Sequence, residues 1–457
     1  MTRESYLAQF YGKSQNYTDI PNKWYKEYNV KKGLRNEDGT GVRVGLTRVA
    51  DVVGYSEGAD GQIVAIPGEL YYRGYNVVDL VKGKLNSHFG YEEVCFLLLF
   101  GYLPKRKELD QFCAILRDCY EIPDEFVEMN LLRMPGKNLM NKLQDAVLTL
   151  YNYDDDPDNT DVYETLVKGI NLVAKLPSIA CYAYQSKVHY YNRDSLFIHY
   201  ANPEYSIAEN FLSVLRKDQK FTDKEASLLD TILMLHADHG GGNNSTFTNV
   251  VISSTGTDIY STVSASIGSL KGPRHGGANI KVAEMMDAVL DEVGGYTADD
   301  KKLRAAVHKL MDGKLYDGSG LVYGFGHAVY TVSDPRADML RACCAEVAKE
   351  KKQMTEFDFR QRFENAALEV MKERKGVALP TNVDYYSGFA YGMLNIPRDL
   401  YTPLFMCSRM VGWVAHNIEN KLYDGRIMRP ATKYVGDNKD SVSYTHLRAH
   451  ETRGNLV

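Results

Sequence analysis

Four short segments place a histidine or an aspartate beside glycine, proline or asparagine, where helices are predicted to end or begin. Glycine lets a substrate approach the backbone closely, and side chains at the ends of elements project into clefts. Imidazole and carboxylate groups in such places can move protons, so the pattern indicates an enzyme site. The segments are His236-Ala237-Asp238-His239-Gly240, Gly272-Pro273-Arg274-His275-Gly276, Gly324-Phe325-Gly326-His327 and Asn382-Val383-Asp384.

Each titratable group also has a structural interpretation. His275 precedes a predicted helix whose positive dipole end disfavours the imidazolium, so a neutral ring could donate a hydrogen bond to a developing oxyanion. The alternative is a histidine that only caps that helix. His327 follows two glycines and could instead fill a polar gap in a loop. Asp384 opens a helical segment and is either the helix N-cap or a partly desolvated general base.

Three arginines complete the set. Arg336 falls in the first turn of a predicted helix, where it opposes the dipole unless a carboxylate or phosphate binds there. Arg409 has apolar or small helical neighbours, which predicts a buried guanidinium that either binds an anion or forms a structural ion pair. Arg429, before Pro430, is a plain surface charge on sequence evidence alone.

Motifs for several other chemistries are absent from the sequence. His236, Asp238 and His239 could suggest a metal, yet the chain has no HExxH motif and no well-spaced third ligand, and we predict no metal. Neither GxGxxG nor GxxxxGK[ST] occurs. The spacing GxSxG occurs once, at Gly54-Tyr55-Ser56-Glu57-Gly58, but no helical pattern follows it as a nucleophile elbow requires.

Composition is that of a globular protein long enough for two or three domains, with 457 residues, 44% of them hydrophobic and 25% charged. The net charge of -5 argues against a general nucleic-acid surface. The seven cysteines have no CxxC spacing, which is typical of reduced thiols. The first 15 residues do not look like a targeting peptide, and the apolar run Val94–Phe100 is too short to span a bilayer. We therefore predict a cytoplasmic protein.

Helical periodicity covers most of the chain and predicts an all-α protein. Thr222 with Glu225 predicts a capping box, and Asp334-Pro335 and Thr402-Pro403 predict two further helix starts. The runs 42–46 and 69–72 could be strands, but no βαβ rhythm appears.

The residues from about Asn36 to Tyr434 resemble the citrate synthase family, in its bacterial citrate/2-methylcitrate synthase type. The resemblance implies a mostly helical homodimer of two-domain subunits. A large domain, 1–276 with 389–440, would carry an inserted small domain, 277–388, and the cleft between them would close on the substrates. The tail 441–457 does not resemble the family and is expected to be disordered and of doubtful origin. The matching motifs, in family order, are Tyr72-Arg73-Gly74-Tyr75, His236-Ala237-Asp238-His239, Gly272-Pro273-Arg274-His275-Gly276-Gly277-Ala278-Asn279, Gly324-Phe325-Gly326-His327, Asp334-Pro335-Arg336, Asn382-Val383-Asp384 and Arg429-Pro430.

By this resemblance Asp384 would take a proton from the methyl group of acetyl-CoA while neutral His275 donates to the thioester oxygen. His327 would polarise the ketone of oxaloacetate, giving citryl-CoA and, after hydrolysis, citrate and CoA. Acetyl-CoA would be a co-substrate, and no cofactor is implied. The oxaloacetate carboxylates would be held by His239, Arg336, Arg409 and Arg429 of the partner subunit.

Other functions remain open on the sequence. Gly240 and Thr331 depart from residues that many family members carry, so the CoA-contacting residues are not assigned. A 2-methylcitrate synthase acting on propionyl-CoA differs by one methyl group, which a pocket distinguishes by only about 1–3 kcal/mol. A metal-dependent hydrolase built on His236, His239 and His275, and a catalytically inactive helical scaffold, are the rival classes.

Overall fold

The computed structural model describes residues 2–37, 40–58, 62–84, 88–273, 275–423 and 425–436. The chain divides into two compact units, one from residues 1–44 with 429–457 and the other from residues 45–428. We refer to them as the terminal unit and the main unit. The tail 441–457, predicted to be disordered, lies outside the described residues.

Among its described residues, the terminal unit contains two α-helices, α1 (Arg3–Thr18) and α2 (Lys23–Glu27). The Thr2 hydroxyl caps α1 by accepting the Ser5 N–H. The ammonium group of Lys433 lies 5.8 Å from the ring centre of Tyr28. The strand predicted at 42–46 is wrong, because this segment is irregular and makes no ladder with another strand among the described residues.

A small antiparallel sheet begins the main unit, with strands β1 (Ala50–Glu57), β2 (Ile63–Tyr72) and β3 (Tyr75–Asn76) in the order β1-β2-β3. The predicted strand at 69–72 is the end of β2. Gly68 on β2 lies directly against the loop before residue 335, where its N–H donates to the Ser333 carbonyl at 3.1 Å. A side chain at position 68 would collide with this loop, so glycine permits the sheet to dock there.

Helices form the rest of the main unit, so the prediction of an all-α fold is confirmed. They are α3 (Val77–Gly83), α4 (Gly90–Phe100), α5 (Arg106–Asp118), α6 (Asp124–Phe126), α7 (Leu139–Leu150), α8 (Val162–Lys187), α9 (Ile207–Leu215), α10 (Asp223–His236), α11 (Asn244–Ser253), α12 (Ile259–Lys271), α13 (Ala278–Val293), α14 (Asp300–Met311), α15 (Pro335–Glu350), α16 (Met354–Lys375), α17 (Val383–Met393) and α18 (Tyr401–Leu422).

Local capping explains where the helices that carry the site begin. Thr222 and Glu225 form the predicted capping box of α10. Asp334 caps α15, with Pro335 at its first position, as predicted. The predicted start, with Thr402 as N-cap and Pro403 as the first helical residue, is two residues late, and Thr402 is not the N-cap. A preceding helical turn runs directly into α18 at Tyr401, and the Thr402 hydroxyl instead donates to the Gly276 carbonyl at 3.2 Å.

The core of the main unit surrounds two long helices, α8 and α18, which pack against each other. Gly169 on α8 lies against the Val414 side chain on α18 and allows the two helices to approach closely. Most of α18 is buried from Tyr401 to Glu419. This helix is therefore a rigid support for any side chain that it directs towards a cleft.

The segment 277–388, predicted as an inserted small domain, contains α13 to α16 and the first half of α17, which continues to Met393. Helix α14 packs against α13 and α16, and α15 packs against α17. Helix α15 also packs against α10, and α13 against α18. The proposed boundary between large and small domains stays a prediction.

All seven cysteines are unpaired thiols, and only Cys119 and Cys343 are partly exposed. In the described part of the chain, every helix is too short or too polar to cross a lipid bilayer.

Candidate active site

Six parts of the main unit carry the residues that the sequence singled out, apart from Arg429. These are the end of α10 with the turn after it, the loop before α13, the loop 324–334, the start of α15, the start of α17 and the middle of α18. Except for His327, each of these functional side chains is attached to, or within a few residues of, a helix whose packing fixes its position.

Two of the predicted histidines meet in one aromatic cluster. The ring centres of His239 and His327 lie 4.9 Å apart, and both rings contact Tyr330, at 5.5 and 4.6 Å. The Nδ1 atom of His327 accepts the N–H groups of Val329 and Tyr330 at 3.0 and 3.1 Å. In the neutral ring the proton must therefore be on Nε2, which can donate to a substrate oxygen.

His239 is held largely uncharged. Burial and then the positive charge of Arg336 lower its pKa well below the ordinary value. Its buried Nε2 atom has no hydrogen-bond partner among the described residues. A buried polar atom without a partner is uncommon and points to a site that binds a ligand.

Arg336 lies beside this cluster, with its guanidinium carbon 5.6 Å from the Tyr330 ring centre. It is 3% exposed and makes a two-pronged ion pair with Asp334, through Nε at 3.0 Å and Nη2 at 2.7 Å. Burial opposes the charge of Arg336, but Asp334 outweighs it and raises the pKa of the guanidinium. The same aspartate therefore caps α15 and orients the arginine.

Arg409 on α18 is buried differently. It is 1% exposed, its Nε donates to the His236 carbonyl at 2.7 Å, and its guanidinium carbon lies 4.8 Å from the Phe405 ring centre. No carboxylate of the described residues forms an ion pair with it. Burial lowers the pKa of Arg409 to about 10, so the group stays charged at neutral pH. This finding opposes the structural ion pair and favours an anion-binding role.

His275 lies in the loop before α13, where its Nε2 accepts the Ser245 N–H at 3.3 Å and lies 2.9 Å from the Ser245 hydroxyl. The ring proton of neutral His275 is accordingly on Nδ1. Burial and then the charge of Arg409 lower the pKa of His275 to about 4. The neutral state that the sequence predicted from a helix dipole thus also follows from burial and a nearby cation.

Asp384 is the second residue of α17, and Asn382 rather than Asp384 is the N-cap, because the Asn382 side chain accepts the Asp384 N–H. The interpretation of Asp384 as a cap is therefore wrong. Burial raises the pKa of Asp384 to about 6, while the charges of Arg336 and Arg409 lower it and that of Asp334 raises it. The carboxylate and the two arginines therefore share one electrostatic environment.

A short backbone pairing joins the segments of His327 and Asp384. Phe325 pairs with Thr381 in an antiparallel bridge, and the Gly326 N–H donates to the Pro380 carbonyl at 2.8 Å. The Asn382 N–H donates a hydrogen bond to the Gly324 carbonyl at 2.9 Å. His327, the predicted acid, and Asp384, the predicted base, therefore follow the two segments that this bridge pairs.

Sequence reasoning did not identify the contacts that hold this site in place, although Asp238 and Tyr72 belong to motifs that it named. Asp238 accepts the Gly240 N–H at 2.8 Å and lies 3.2 Å from His416 Nε2 on α18. The buried Tyr72 hydroxyl donates to the Met234 carbonyl at 3.0 Å. The indole of Trp413 donates to the Ser245 hydroxyl at 3.3 Å. These partners are far apart in the chain, so no local spacing could have identified them.

Two other sequence observations have structural explanations. Gly240 has a φ of +73°, and a side chain there would lie 3.2 Å from the Val52 methyl group, so another residue would be strained. Among the residues that the structure describes, no three His, Cys, Asp or Glu side chains form a group that could hold a metal. His236, His239 and His275 therefore offer no support for the metal-dependent hydrolase.

Arg429 belongs to the terminal unit, where it is exposed. Its predicted role in the site of a partner subunit stays a prediction.

Comparison with known proteins identifies the family. The family model for the C-terminal domain of citrate synthase matches residues 38–431. A citrate synthase of Haloferax volcanii is 36% identical over 81% of this chain and 90% of its own length. Citrate synthase 2 of Bacillus subtilis is 35% identical over 82% of this chain and 92% of its own length. A 2-methylcitrate synthase of Shewanella oneidensis is 32% identical over 80% of this chain and 88% of its own length.

Solved structures agree in fold. Citrate synthase from Pyrobaculum aerophilum has a TM-score of 0.72 at 28% identity, with 89% of this chain and 93% of that chain covered. The Thermoplasma acidophilum citrate synthase, in a ternary complex with carboxymethyl coenzyme A and oxaloacetate, has a TM-score of 0.73 at 26% identity, covering 91% and 98%. On these likenesses and the extent of the family match, the chain belongs to the citrate synthase family.

Proposed function

We propose that this protein condenses acetyl-CoA with oxaloacetate and water to give citrate and CoA. The observation that carries the proposal is the buried cation of Arg409, which has no carboxylate partner among the described residues and lies in the electrostatic environment of Asp384. Such a cation requires an anionic ligand, and oxaloacetate is a dicarboxylate. Family membership supports the same substrate pair.

The first step is removal of a proton from the methyl group of acetyl-CoA by the Asp384 carboxylate. A carbon acid beside a thioester is very weak, so the developing enolate needs a hydrogen bond at the same moment. His275 supplies this bond from Nδ1–H, since its Nε2 already accepts the Ser245 N–H. The raised pKa of Asp384, about 6, brings its basicity nearer to that required at neutral pH.

Carbon–carbon bond formation follows at the ketone of oxaloacetate. His327 donates from Nε2–H to the ketone oxygen as the enol carbon attacks, which yields citryl-CoA. Arg409, Arg336 and His239 hold the two carboxylates, and Arg429 of the partner subunit completes the set in a homodimer. Hydrolysis of the citryl thioester then releases citrate and CoA. We further propose that this occurs in the cytoplasm, where the seven unpaired cysteines would remain reduced.

The variant Asp384→Asn tests the assignment of the base. We expect it to abolish turnover, because an amide of nearly the same shape cannot accept the proton, and to leave oxaloacetate binding largely intact. Turnover is measured as CoA thiol release that requires oxaloacetate, and binding is measured by calorimetry. The matched control is Asp110→Asn, which alters only an exposed ion pair with Arg106.

Near-normal turnover in Asp384→Asn would overturn the base assignment. The same assay, run with acetyl-CoA and with propionyl-CoA, compares the two substrates by kcat/KM. A higher kcat/KM for propionyl-CoA would identify a 2-methylcitrate synthase.

A further inference from the structure

A buried carboxylate on α16 joins the elements that carry the proposed base and acids. Glu364 is 6% exposed. Its Oε1 accepts the Thr381 hydroxyl at 2.7 Å, and its Oε2 accepts the Tyr386 hydroxyl at 2.5 Å. Arg341 on α15 lies 3.7 Å from Oε1. We call Glu364 with these three partners the Glu364 hub.

The hub holds both sides of Asp384. Thr381 lies three residues before the base, in the segment paired with Phe325, and Tyr386 lies two residues after it on α17. The neighbouring Tyr385 adds a separate link to α16, because its hydroxyl donates to the Arg360 carbonyl at 2.7 Å. A single carboxylate therefore fixes the start of α17 at two points that flank the base.

The same carboxylate is also linked to the acid. Thr381, whose hydroxyl donates to Glu364, pairs through its backbone with Phe325, and His327 is two residues beyond Phe325. Arg341 extends the link to α15, the helix whose first turn carries Arg336. Displacement of Glu364 would therefore change the spacing between the proton acceptor and the ketone donor, while Asp334 continues to orient Arg336.

We propose that Glu364 is a positioning residue that sets the distance between Asp384 and His327 through Thr381 and Tyr386, an inference that rests on the proposed function. Two hydroxyl donors on one buried carboxylate define its orientation more strictly than apolar packing does. A base displaced by about 1 Å loses roughly 100-fold in rate, so small movements of the hub have large effects on proton abstraction. Oxaloacetate binding depends mainly on groups outside the hub and changes little.

The test uses the full chain and two substitutions. Glu364→Gln keeps the shape of the side chain but replaces one acceptor oxygen with a donor. Thr381→Val keeps the branched shape and removes the hydroxyl, and Thr381→Ser restores a hydroxyl and is the rescue variant. Glu369→Gln is the matched control, because Glu369 lies on the same helix in an exposed pair with Arg304. If Glu364→Gln does not fold, the comparison of Thr381→Val with Thr381→Ser is sufficient to test the inference.

We expect kcat to fall roughly 10- to 100-fold in Glu364→Gln and Thr381→Val, with the KM for oxaloacetate within about threefold of the parent. The deuterium isotope effect on kcat with methyl-deuterated acetyl-CoA should rise, because proton abstraction becomes more rate-limiting. Thr381→Ser and Glu369→Gln should behave as the parent. A role in stability alone would lower the amount of folded enzyme and leave the isotope effect unchanged.

Two results would overturn the inference. One is a normal kcat in Thr381→Val, and the other is a loss of activity without any change in the isotope effect. If Asp384→Asn is inactive while the hub variants are normal, the inference fails and the proposed function stands. If Asp384→Asn retains turnover, the base assignment fails and the inference fails with it. If the parent enzyme releases no CoA that requires oxaloacetate, the proposed function itself fails.

Discussion

Arg409 and Arg336 are two buried arginines whose charges are balanced differently. Arg336 is paired with Asp334, which also caps its helix. Arg409 has a backbone carbonyl and an aromatic ring as neighbours but no carboxylate among the described residues. An unpaired buried charge lowers stability, whereas removal of one partner from a buried pair leaves the other uncompensated. The two arginines should therefore respond in opposite ways to the same substitution.

We predict that Arg409→Met leaves the free energy of unfolding unchanged or higher, because an apolar side chain replaces a buried cation that forms no ion pair among the described residues and whose charge Asp238 and Asp384 balance only in part. Arg336→Met should lower it by about 3–5 kcal/mol, since Asp334 is left alone. Oxaloacetate affinity should fall at least roughly 30-fold in Arg409→Met, the loss expected for one or two charge-assisted hydrogen bonds. Denaturant titration and calorimetry measure the two quantities. Strong destabilisation by Arg409→Met would instead indicate a structural role.

The ionisation of Asp384 predicts the acid limb of the activity profile. The base is active as the carboxylate, and burial raises its pKa to about 6. We expect kcat/KM to fall as pH drops through about 6, while His275, with a pKa of about 4, stays neutral over that range. A midpoint at the ordinary carboxyl value, roughly 4, would contradict a buried base.

The same shift affects stability. A folded pKa above the unfolded value means that the folded chain retains a proton that the unfolded chain loses. The contribution of Asp384 to stability is therefore present below the unfolded pKa and is lost as pH rises through about 6. Asp384→Asn should accordingly have a higher Tm than the parent at neutral pH, which differential scanning calorimetry measures.

At the scale of elements, the site depends on how closely α18 passes the end of α10. Gly412 is the point of contact, where an added side-chain carbon would collide with the Asp238 carboxylate and lie 2.5 Å from the Ala237 carbonyl oxygen. Asp238 in turn fixes the turn before His239 through the Gly240 N–H. Glycine at position 412 is therefore required by the position of the histidine turn.

We predict that Gly412→Ala lowers the free energy of unfolding by about 1–3 kcal/mol and weakens oxaloacetate binding, because α18 and the histidine turn must separate. The control is Gly392→Ala on α17, where the nearest atom, the Tyr401 hydroxyl, is 3.9 Å away. Loss of helix-weakening glycine there should raise stability by about 0.5–1 kcal/mol. If Gly412→Ala and Gly392→Ala changed the free energy of unfolding and oxaloacetate binding equally, the close contact of Gly412 with Asp238 and Ala237 would have no effect on either.

Sequence patterns predicted elements well where the determinants are local. The capping box at Thr222 and the Asp334-Pro335 start involve residues within three positions of each other, and both are present. The strand at 42–46 and the helix start at Thr402 failed, because a strand needs a distant partner and a helix can continue from a preceding turn.

At the scale of the whole molecule, the sequence predicted the helical fold and the family. It also named Asp384, Arg336 and Arg409, whose charges act on one another in the structure, while the catalytic and binding roles of the site residues stay predictions. It could not show that Arg409 has no carboxylate partner, because ion pairing depends on residues far apart in the chain. For the same reason it did not find Ser245, His416 or Glu364, whose hydrogen-bond partners are up to 178 residues away. The domain boundary at 277–388 and the role of Arg429 across a dimer stay predictions.

The state of the seven cysteines has a consequence for thioester chemistry. Burial raises the pKa of every one of these thiols, and each keeps its proton at neutral pH. A thiolate near bound acetyl-CoA would exchange with CoA and take the acetyl group onto the protein. Because burial favours the protonated thiols and five of the seven sulfurs are buried, we expect transthioesterification not to compete with attack on the ketone, so that each acetyl group consumed yields one molecule of product.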